Sequence, residues 1–458
     1  MLKKSKNKKP EQNGILQKIA VAACVVIWTF IIFCTGLLAA QTDSFERTTK
    51  YFRSGMFEAE LLPYAKDPFD KQLTVWQDTP HALQGGTLLI GSHFTANPAL
   101  LLADETGAIL HRWNVENKYF SHSDYVLAMD DARLLPDGDV ICTQVLRNVP
   151  MFQGQRLVRM DADSHILWEM EGDFHHGLDI GGNPQKIYAI VSQRRDELPV
   201  IGPKIDNAGY MNDMIYEVSL EGTLLDSWSV ADAFVDSPYR FLLTSFEINL
   251  PDMQKAQLGN SKKQIFDLLH LNSVQYLDAR HAKTIAAAQE GDLLISLRGV
   301  NALAVLRPST KRIIWATLGP WRHQHYARVG DDGKLYVYDN EGSSVITQTG
   351  DDEPKAELQS RVIRFDPATG MSEEIFASPR LHSYWQGYYD FLPGGYSIIS
   401  SSEKSRVVVV SPEKKVVWEL RGIPDREQAV VPYLKEISTV HYYPPGSLTF
   451  PDAQEHKP

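Results

Sequence analysis

Cysteine is scarce, with three residues in a chain of 458. That excludes a disulfide-dense scaffold and leaves apolar burial to hold the fold. An excess of basic charge is missing too: 46 Lys+Arg against 57 Asp+Glu give a formal charge of −11. A nonspecific nucleic-acid binder needs a basic face for phosphates, so no nucleic-acid partner is expected. At 43% hydrophobic and 22% charged, the composition is ordinary for a globular protein and excludes disorder, collagen or coiled coil as the main state.

The long apolar run lies at the start. Behind Lys3, Lys4, Lys6, Lys8, Lys9 and Lys18 stand 22 uncharged residues, Ile19 to Ala40. As a helix rising about 1.5 Å per residue the run reaches roughly 33 Å, enough for a hydrocarbon core of about 30 Å. An uncleaved transmembrane signal anchor fits better than a signal peptide cut near Ala39 and Ala40. A cleavable apolar core is usually about 7–15 residues, and Leu38 is not small. The lysines should stay cytoplasmic, which places residues 41–458 on the periplasmic or extracytoplasmic side of the inner membrane. Residues 1–18 are then a basic tail, 41–80 a linker with a helix-like Phe45–Tyr64, 81–450 the globule and 451–458 a tail. Six lysines and one glutamate lie in residues 1–40, so the rest of the chain, with 40 basic and 56 acidic side chains, carries −16. Cys24 and Cys34 fall inside the run. Cys142, between Ile141 and Thr143, reads as an inert thiol in a buried strand.

From about residue 81 one theme recurs, closing on an aromatic residue. The phrases are Asp104-Glu-Thr-Gly-Ala-Ile-Leu-His-Arg-Trp113, Asp161-Ala-Asp-Ser-His-Ile-Leu-Trp168, Leu220-Glu-Gly-Thr-Leu-Leu-Asp-Ser-Trp228, Pro308-Ser-Thr-Lys-Arg-Ile-Ile-Trp315, Asp366 to Phe376, and Ser411-Pro-Glu-Lys-Lys-Val-Val-Trp418. Turns ahead of the middle strands repeat as well: Leu135-Pro-Asp-Gly138, Gly330-Asp-Asp-Gly333, Leu392-Pro-Gly-Gly395 and a looser Glu290-Gly291-Asp292. Six copies at spacings of roughly 40 to 90 residues predict an all-β fold, a six-bladed β-propeller behind the N-terminal transmembrane helix. Blade one shows only three strands (Thr87–Ser92, Ala99–Asp104, Ala108–Trp113), and Ile437–Tyr443 is placed to supply the fourth, closing the ring with both chain ends. Residues 231–267 do not fit the repeat and read as a helical or loop insertion before blade four.

Chemistry collects on the strands expected to line the central channel. Blade three opens with Phe174-His175-His176-Gly177, blade four with Leu269-His270-Leu271-Asn272-Ser273, and blade five with His323-Gln324-His325-Tyr326-Ala327-Arg328. Counting back eight residues from each turn glycine sets His325 level with Asp130 in blade two and Gly387 in blade six, and Gln324 level with Gln386. Histidines on the same face of three adjacent blades point to one axis; the bland alternative is that each satisfies a blade interface. Tyr326, Tyr384, Trp385, Tyr388 and Tyr389 either stack on an aromatic ligand or fill such interfaces.

This arrangement resembles the bacterial arylsulfotransferase family, arylsulfate sulfotransferases that use no nucleotide sulfate donor. The resemblance spans roughly residues 85–450. It rests on the blade-three His-His, the His270–Ser273 phrase, Leu294-Ile-Ser-Leu-Arg298, Gly319, Gln324-His325 and Tyr338-Asp339-Asn340. It implies that His325 is a nucleophile transiently sulfated in a ping-pong transfer from an aryl sulfate to a phenol. His176, His270, Asn272 and Arg298 would surround the sulfuryl group, and His175, Gln324, Tyr326 and Gln386 would contact substrate. No cofactor is implied. Gly177 and Tyr326 depart from the family, whose members often carry Asp directly after the histidine, and the cysteine pair of some members is absent.

The chemistry is sound on its own terms. Sulfuryl transfer needs in-line placement and neutralisation of equatorial oxygens, for which Arg298 offers a planar donor set and Asn272 another N–H. A neutral imidazole can attack sulfur and hold the group, while a second, His270 or His176, moves the proton. Two imidazoles on one strand, His323 and His325, with His176 and His270 also suit a transition metal. No carboxylate or thiolate joins them at a matching repeat position, so no metal is assigned. The closing phrases are similar to those of quinoprotein dehydrogenase propellers too, but no set of calcium-ligating carboxylates accompanies them. The alternative from another class is a noncatalytic, membrane-anchored propeller that binds a protein or glycan. Convergence of His176, His270, Arg298 and His325 in one funnel separates the two.

Overall fold

The computed structural model describes residues 73–79, 82–92, 99–114, 126–147, 155–196, 209–244, 265–347, 355–421 and 437–450. The expected anchor, the helix at 45–64 and the terminal tail lie outside these residues. Among the described residues no helix is long and apolar enough to cross a membrane.

The strands form six antiparallel blades. Blade two runs outward through Val126–Leu134, Val140–Arg147, Arg156–Met160 and Ile166–Glu171. Blade three follows with Asp173–Gly181, Lys186–Arg195, Gly209–Ser219 and Leu224–Ser229, and blade four with Leu271–Tyr276, Leu293–Leu297, Ala302–Arg307 and Arg312–Leu318. Blade five is His325–Val329, Leu335–Thr347, Lys355–Phe365 and Ser372–Ser378; blade six is Tyr388–Phe391, Ser397–Ser401, Arg406–Val410 and Val416–Arg421. Blade one takes its innermost strand from the far end of the sequence, as expected: Ile437–Tyr443 pairs with Thr87–Ser92, with Leu88 opposite Tyr442.

One segment differs from expectation. Thr74–Gln77, read as linker, is a fifth, outermost strand of blade six, paired with Val416–Arg421 so that Trp76 faces Glu419. The insertion before blade four contains, as expected, a helix at Val230–Val235, capped by the Ser229 side chain, and a 3-10 turn at Arg240–Thr244. It ends in a short strand, Ile265–Asp267, running parallel to Gly209–Met211.

Middle strands are buried on both faces because each blade is sandwiched between two others, so they read as mainly apolar runs: every residue of Leu293–Leu297 is buried, Ser296 included. The outermost strand Ile166–Glu171 instead alternates half-buried with exposed. Each of the six blade interfaces holds its own apolar cluster, among them Leu100, Trp113 and Met129 between blades one and two, and Leu303, Val337 and Trp321 between four and five. A fully buried large apolar side chain contributes about 1.5–3 kcal/mol, against about 0–1 kcal/mol for a surface ion pair, so these interfaces decide the fold.

The recurring tryptophan acquires a physical reason. Trp113 donates its indole N–H to the Gly138 carbonyl of blade two (2.9 Å), Trp168 to Leu220 of blade three (2.8 Å) and Trp418 to Glu105 of blade one (2.7 Å). Each latches its blade to the turn of the next. Gly138 is required there: its φ is +96°, and a Cβ would lie 2.9 Å from the Phe450 ring. Trp418, fully buried at the seam between first and last blades, is the most informative to remove. Trp418→Ala is expected to lower unfolding stability by about 3–5 kcal/mol, and Trp418→Phe, which keeps an aromatic ring but loses the hydrogen bond, by clearly less. Urea midpoints of the two variants measure the difference.

Candidate active site

The innermost strands carry β-bulges at one level of the channel. The register slips at Asp130 in blade two, across His175–Gly177 in blade three, at Asn272 in blade four, between His325 and Arg328 in blade five, and at Ser438 in blade one. A bulge opposes extra residues to a normal pair and re-aims a side chain, here toward the axis. His176, His270, His323, Tyr326 and Gln386 all have φ between 49° and 54°, the left-handed region that non-glycine residues avoid. The resulting funnel is lined by Asp130, His176, Asn272, His325, Gln386 and Ser438, with Tyr326 and Gly387 beside them.

Three imidazoles meet in it. Ring centroids are 5.1 Å apart for His176–His270, 5.8 Å for His176–His325 and 6.0 Å for His270–His325. His325 is almost fully buried, and its Nδ1 faces two acceptors, Asn340 Oδ1 at 2.8 Å and the His323 carbonyl at 3.2 Å. Asn340 is itself fixed: its Nδ2 donates to the carbonyls of Ser383 (2.8 Å) and Gln386 (2.6 Å), so Oδ1 must face the ring. In the neutral ring Nδ1 therefore holds the proton, and Nε2, buried with no partner, presents a lone pair. Burial, with the His270 and Arg298 charges, holds the His325 pKa well below the usual histidine value. Burial, His270 and His175 do the same to His176.

His270 pairs through Nδ1 with Asp267, the last residue of the short strand from the insertion. Burial pushes the Asp267 carboxyl up, but the His270 and His175 imidazoles outweigh it and hold it below the ordinary carboxylate range. Asp213, buried beside it, moves the other way, raised by burial and by Asp267. The backbone N–H of His176 donates to Asp130 Oδ2 at 2.8 Å, and Gln386 Nε2 donates to Asp130 Oδ1 at 3.2 Å.

Of the residues expected from sequence, His176, His270, His325, Asn272, Tyr326 and Gln386 come together at the funnel. Others do not. Gln324 is fully buried and donates its amide to Ser296, Leu297 and Ala302 of blade four, so it secures a blade interface rather than substrate. His175 turns from the axis and bonds Ser192 Oγ at 2.6 Å, with burial bringing its pKa down to about 4. His323, expected as a second imidazole on the His325 face, pairs instead with Glu341 at 2.6 Å. Asn272 donates to the Gln324 carbonyl at 2.7 Å, committing one of the N–H bonds expected for sulfate. Arg298 starts a 3-10 turn; its guanidinium, half-buried, makes no hydrogen bond or ion pair among the described residues, while its charge acts on His325, Asp267 and Glu341. Tyr388 and Tyr389 are buried between blades, leaving Tyr384 and Trp385 exposed ahead of the funnel residues Gln386 and Gly387 in the chain.

Asp267, Asn340 and Ser438 were not assigned from the sequence. Asn340 stood within the Tyr338-Asp339-Asn340 phrase, but nothing there showed that it faces His325. The departures from the family have local causes. A Cβ at Gly177 would lie 3.3 Å from the Asn272 carbonyl, a tight fit, and Asp131 Oδ2 already lies 3.7 Å from that position. Tyr326 packs its ring 4.2 Å from Tyr388 and accepts from Arg328 at 3.2 Å.

What fold and site define together is a six-bladed propeller with three converging imidazoles, one buried and two half-buried, at its axial funnel. The chain belongs to the arylsulfotransferase family: the model described as Arylsulfotransferase (ASST) matches residues 132–422. No curated protein matches. Solved structures similar to this chain include a protein of unknown function from Bacteroides caccae (11% identity, 78% of this chain and 98% of that one, TM-score 0.44). The periplasmic gluconolactonase PpgL of Pseudomonas aeruginosa is similar at 11% identity, 80% and 99% coverage and TM-score 0.42. A streptogramin B lyase is similar at 9% identity, 79% and 90% coverage and TM-score 0.40.

The buried histidines make stability depend on pH. His175, His176 and His325 bind protons more weakly folded than unfolded, so their contribution is complete above pH 6.5 and is lost as pH falls toward their lowered values, for His175 about 4. His175 alone accounts for roughly 3 kcal/mol over that window. Thermal midpoints should fall between pH 6.5 and 4, and His175→Gln should flatten the slope; an unchanged slope would remove His175 from the cause.

Proposed function

We propose that this protein is a membrane-anchored arylsulfotransferase that moves a sulfuryl group from an aryl sulfate to a phenol through a sulfated His325. The observation that carries this reading is the His325 ring: neutral, its proton anchored on Asn340, its Nε2 lone pair buried and unpartnered in the funnel. Family membership supports the reaction class. The expected anchor at residues 19–40 puts the propeller outside the cytoplasm.

In the first half-reaction His325 Nε2 attacks sulfur. The N–S bond forms, the S–O bond to the aryl group breaks, and the leaving oxygen takes the electron pair. The positive charge developing on the ring is stabilised at Nδ1–H by Asn340 Oδ1 and the His323 carbonyl. His270 delivers a proton to the leaving phenolate. Asp267 holds its other nitrogen and orients the ring, a carboxylate partner that His176 lacks among the described residues, which selects His270 for this task. In the second half-reaction the phenolic acceptor returns that proton to His270 as its oxygen attacks sulfur, and the N–S electron pair goes back to His325. Arg298 does not line the funnel, but its charge acts on His325 and Asp267, and from there it neutralises sulfuryl oxygens. Tyr384 and Trp385, exposed and adjacent in the chain to the funnel residue Gln386, give the aryl ring a stacking surface. With a charge of −16 outside residues 1–40, the donor anion is drawn by this local positive set against the surrounding field.

Incubation with an aryl sulfate and rapid quench at neutral pH should yield a sulfated peptide containing His325. His325→Ala should abolish both the adduct and transfer, and transfer surviving in that variant refutes the nucleophile. Asp267→Asn should lower kcat by about 10²- to 10⁴-fold and shift the pH–rate profile, whereas a merely structural aspartate would leave the profile's shape unchanged.

A further inference from the structure

The same three imidazoles have the donor set of a transition-metal centre. One ring nitrogen from each of His176, His270 and His325 lies within 4.8 Å of the others. Metal-bound histidine characteristically has its second nitrogen held by a carboxylate or carbonyl, which fixes the tautomer and raises basicity. Asp267 does this for His270, and Asn340 with the His323 carbonyl does it for His325. The carboxylate that no repeat position supplies thus arrives from the insertion. A second observation points into the same space: His325 Nε2 and Asn272 Oδ1 are buried there without hydrogen-bond partners. His325 is 2% exposed and Asn272 4%.

We propose that His176, His270 and His325 bind one first-row transition dication such as Zn²⁺ or Co²⁺, and that the metal-bound and sulfuryl-transferring states exclude each other. Three neutral nitrogen donors suit these borderline ions, whereas Mg²⁺ and Ca²⁺ require oxygen ligands. A tetrahedral ion with bonds of about 2.0–2.1 Å sets its ligand nitrogens roughly 3.3 Å apart, which modest rotations of the three rings supply. Both Asp130 oxygens are occupied by His176 N–H and Gln386, so the fourth position opens on the funnel. The exclusion follows from electron count, because the one lone pair on His325 Nε2 forms a bond to metal or to sulfur. This second clause rests on the sulfuryl-transfer reading; the metal site itself does not.

The test uses the full chain in detergent, stripped with a chelator and titrated with Co²⁺, whose tetrahedral complexes absorb far more strongly in the visible than octahedral ones. One equivalent with a tetrahedral spectrum is expected. His176→Gln, His270→Gln and His325→Gln, each checked for folding by thermal melting, should weaken binding at least about 100-fold, and Asp267→Asn by about 10- to 100-fold. His165→Ala, in the exposed Asp161–Asp163–His165 cluster, should leave binding unchanged. No saturable binding, an octahedral spectrum, or binding lost with His165 and kept in the three funnel variants overturns the site. Saturating Zn²⁺ should then abolish aryl sulfate turnover and protect His325 from sulfation; turnover undiminished by bound Zn²⁺ overturns the exclusion. A protein that binds Co²⁺ as expected but never transfers sulfate removes the transferase reading and leaves the metal site standing.

Discussion

The innermost strand of each blade has one edge that no strand covers, and the structure depends on how those backbone groups find partners. They find them in side chains of the preceding blade. Asp131 of blade two accepts from Leu178 N–H of blade three, and Asp179 of blade three accepts from Tyr276 N–H of blade four. Ser273 and Gln275 of blade four accept from Ala327 and Val329 of blade five. Asn340 of blade five donates to the Gln386 carbonyl that leads into blade six. An orphaned buried backbone group costs about as much as a lost hydrogen bond, so polar residues are obligatory on these strands irrespective of any reaction. The site is built on the polar positions the ring already requires. Where a bulge turns such a residue past the neighbouring backbone, it faces the funnel instead.

That origin explains why His325 is both buried and left with an unpartnered nitrogen. Burial keeps His176 and His325 neutral, hence able to donate a lone pair, and the carboxylate and amide that orient His270 and His325 belong to other strands. Strain concentrates at His176 and His270 and at His323 and Tyr326 on either side of His325, whose left-handed φ values persist because interfaces on both sides over-determine them. Nucleophile and metal ligand are the same chemical description of His325, and only what arrives at the funnel distinguishes them.

Much of the ring was legible in the sequence because its periodic devices are local. The closing tryptophans mark the latch between blades, the turn glycines mark hairpins, and Ile437–Tyr443 has strand composition with no partner nearby. Counting from turn glycines set His325 level with Asp130 and Gly387, and all three line the funnel. Level was readable, but facing direction was not. Strand alternation assigns faces by parity, and each bulge resets parity at the positions that matter, so Gln324 was placed on the axis although it points into blade four. Asp267 was hidden for another reason: it enters from the parallel strand of an insertion with no repeat to index it. Thr74–Gln77 is four residues long and adds to an edge already complete by the six-fold count, which gives composition little to signal.

The strand that completes blade one carries a temporal consequence. Its partner Thr87–Ser92 lies some three and a half hundred residues earlier in the chain. Ring closure therefore combines a very long loop with a strand that emerges after every other described strand, and non-local pairing of this kind is slow. Until Ile437–Tyr443 arrives, the inner edge of Thr87–Ser92 is unpaired, and Ser438 is not yet at the funnel. A nascent chain holding five finished blades would have assembled all three imidazoles and still lack a closed channel around them, so ring closure sets the moment at which the site becomes whole.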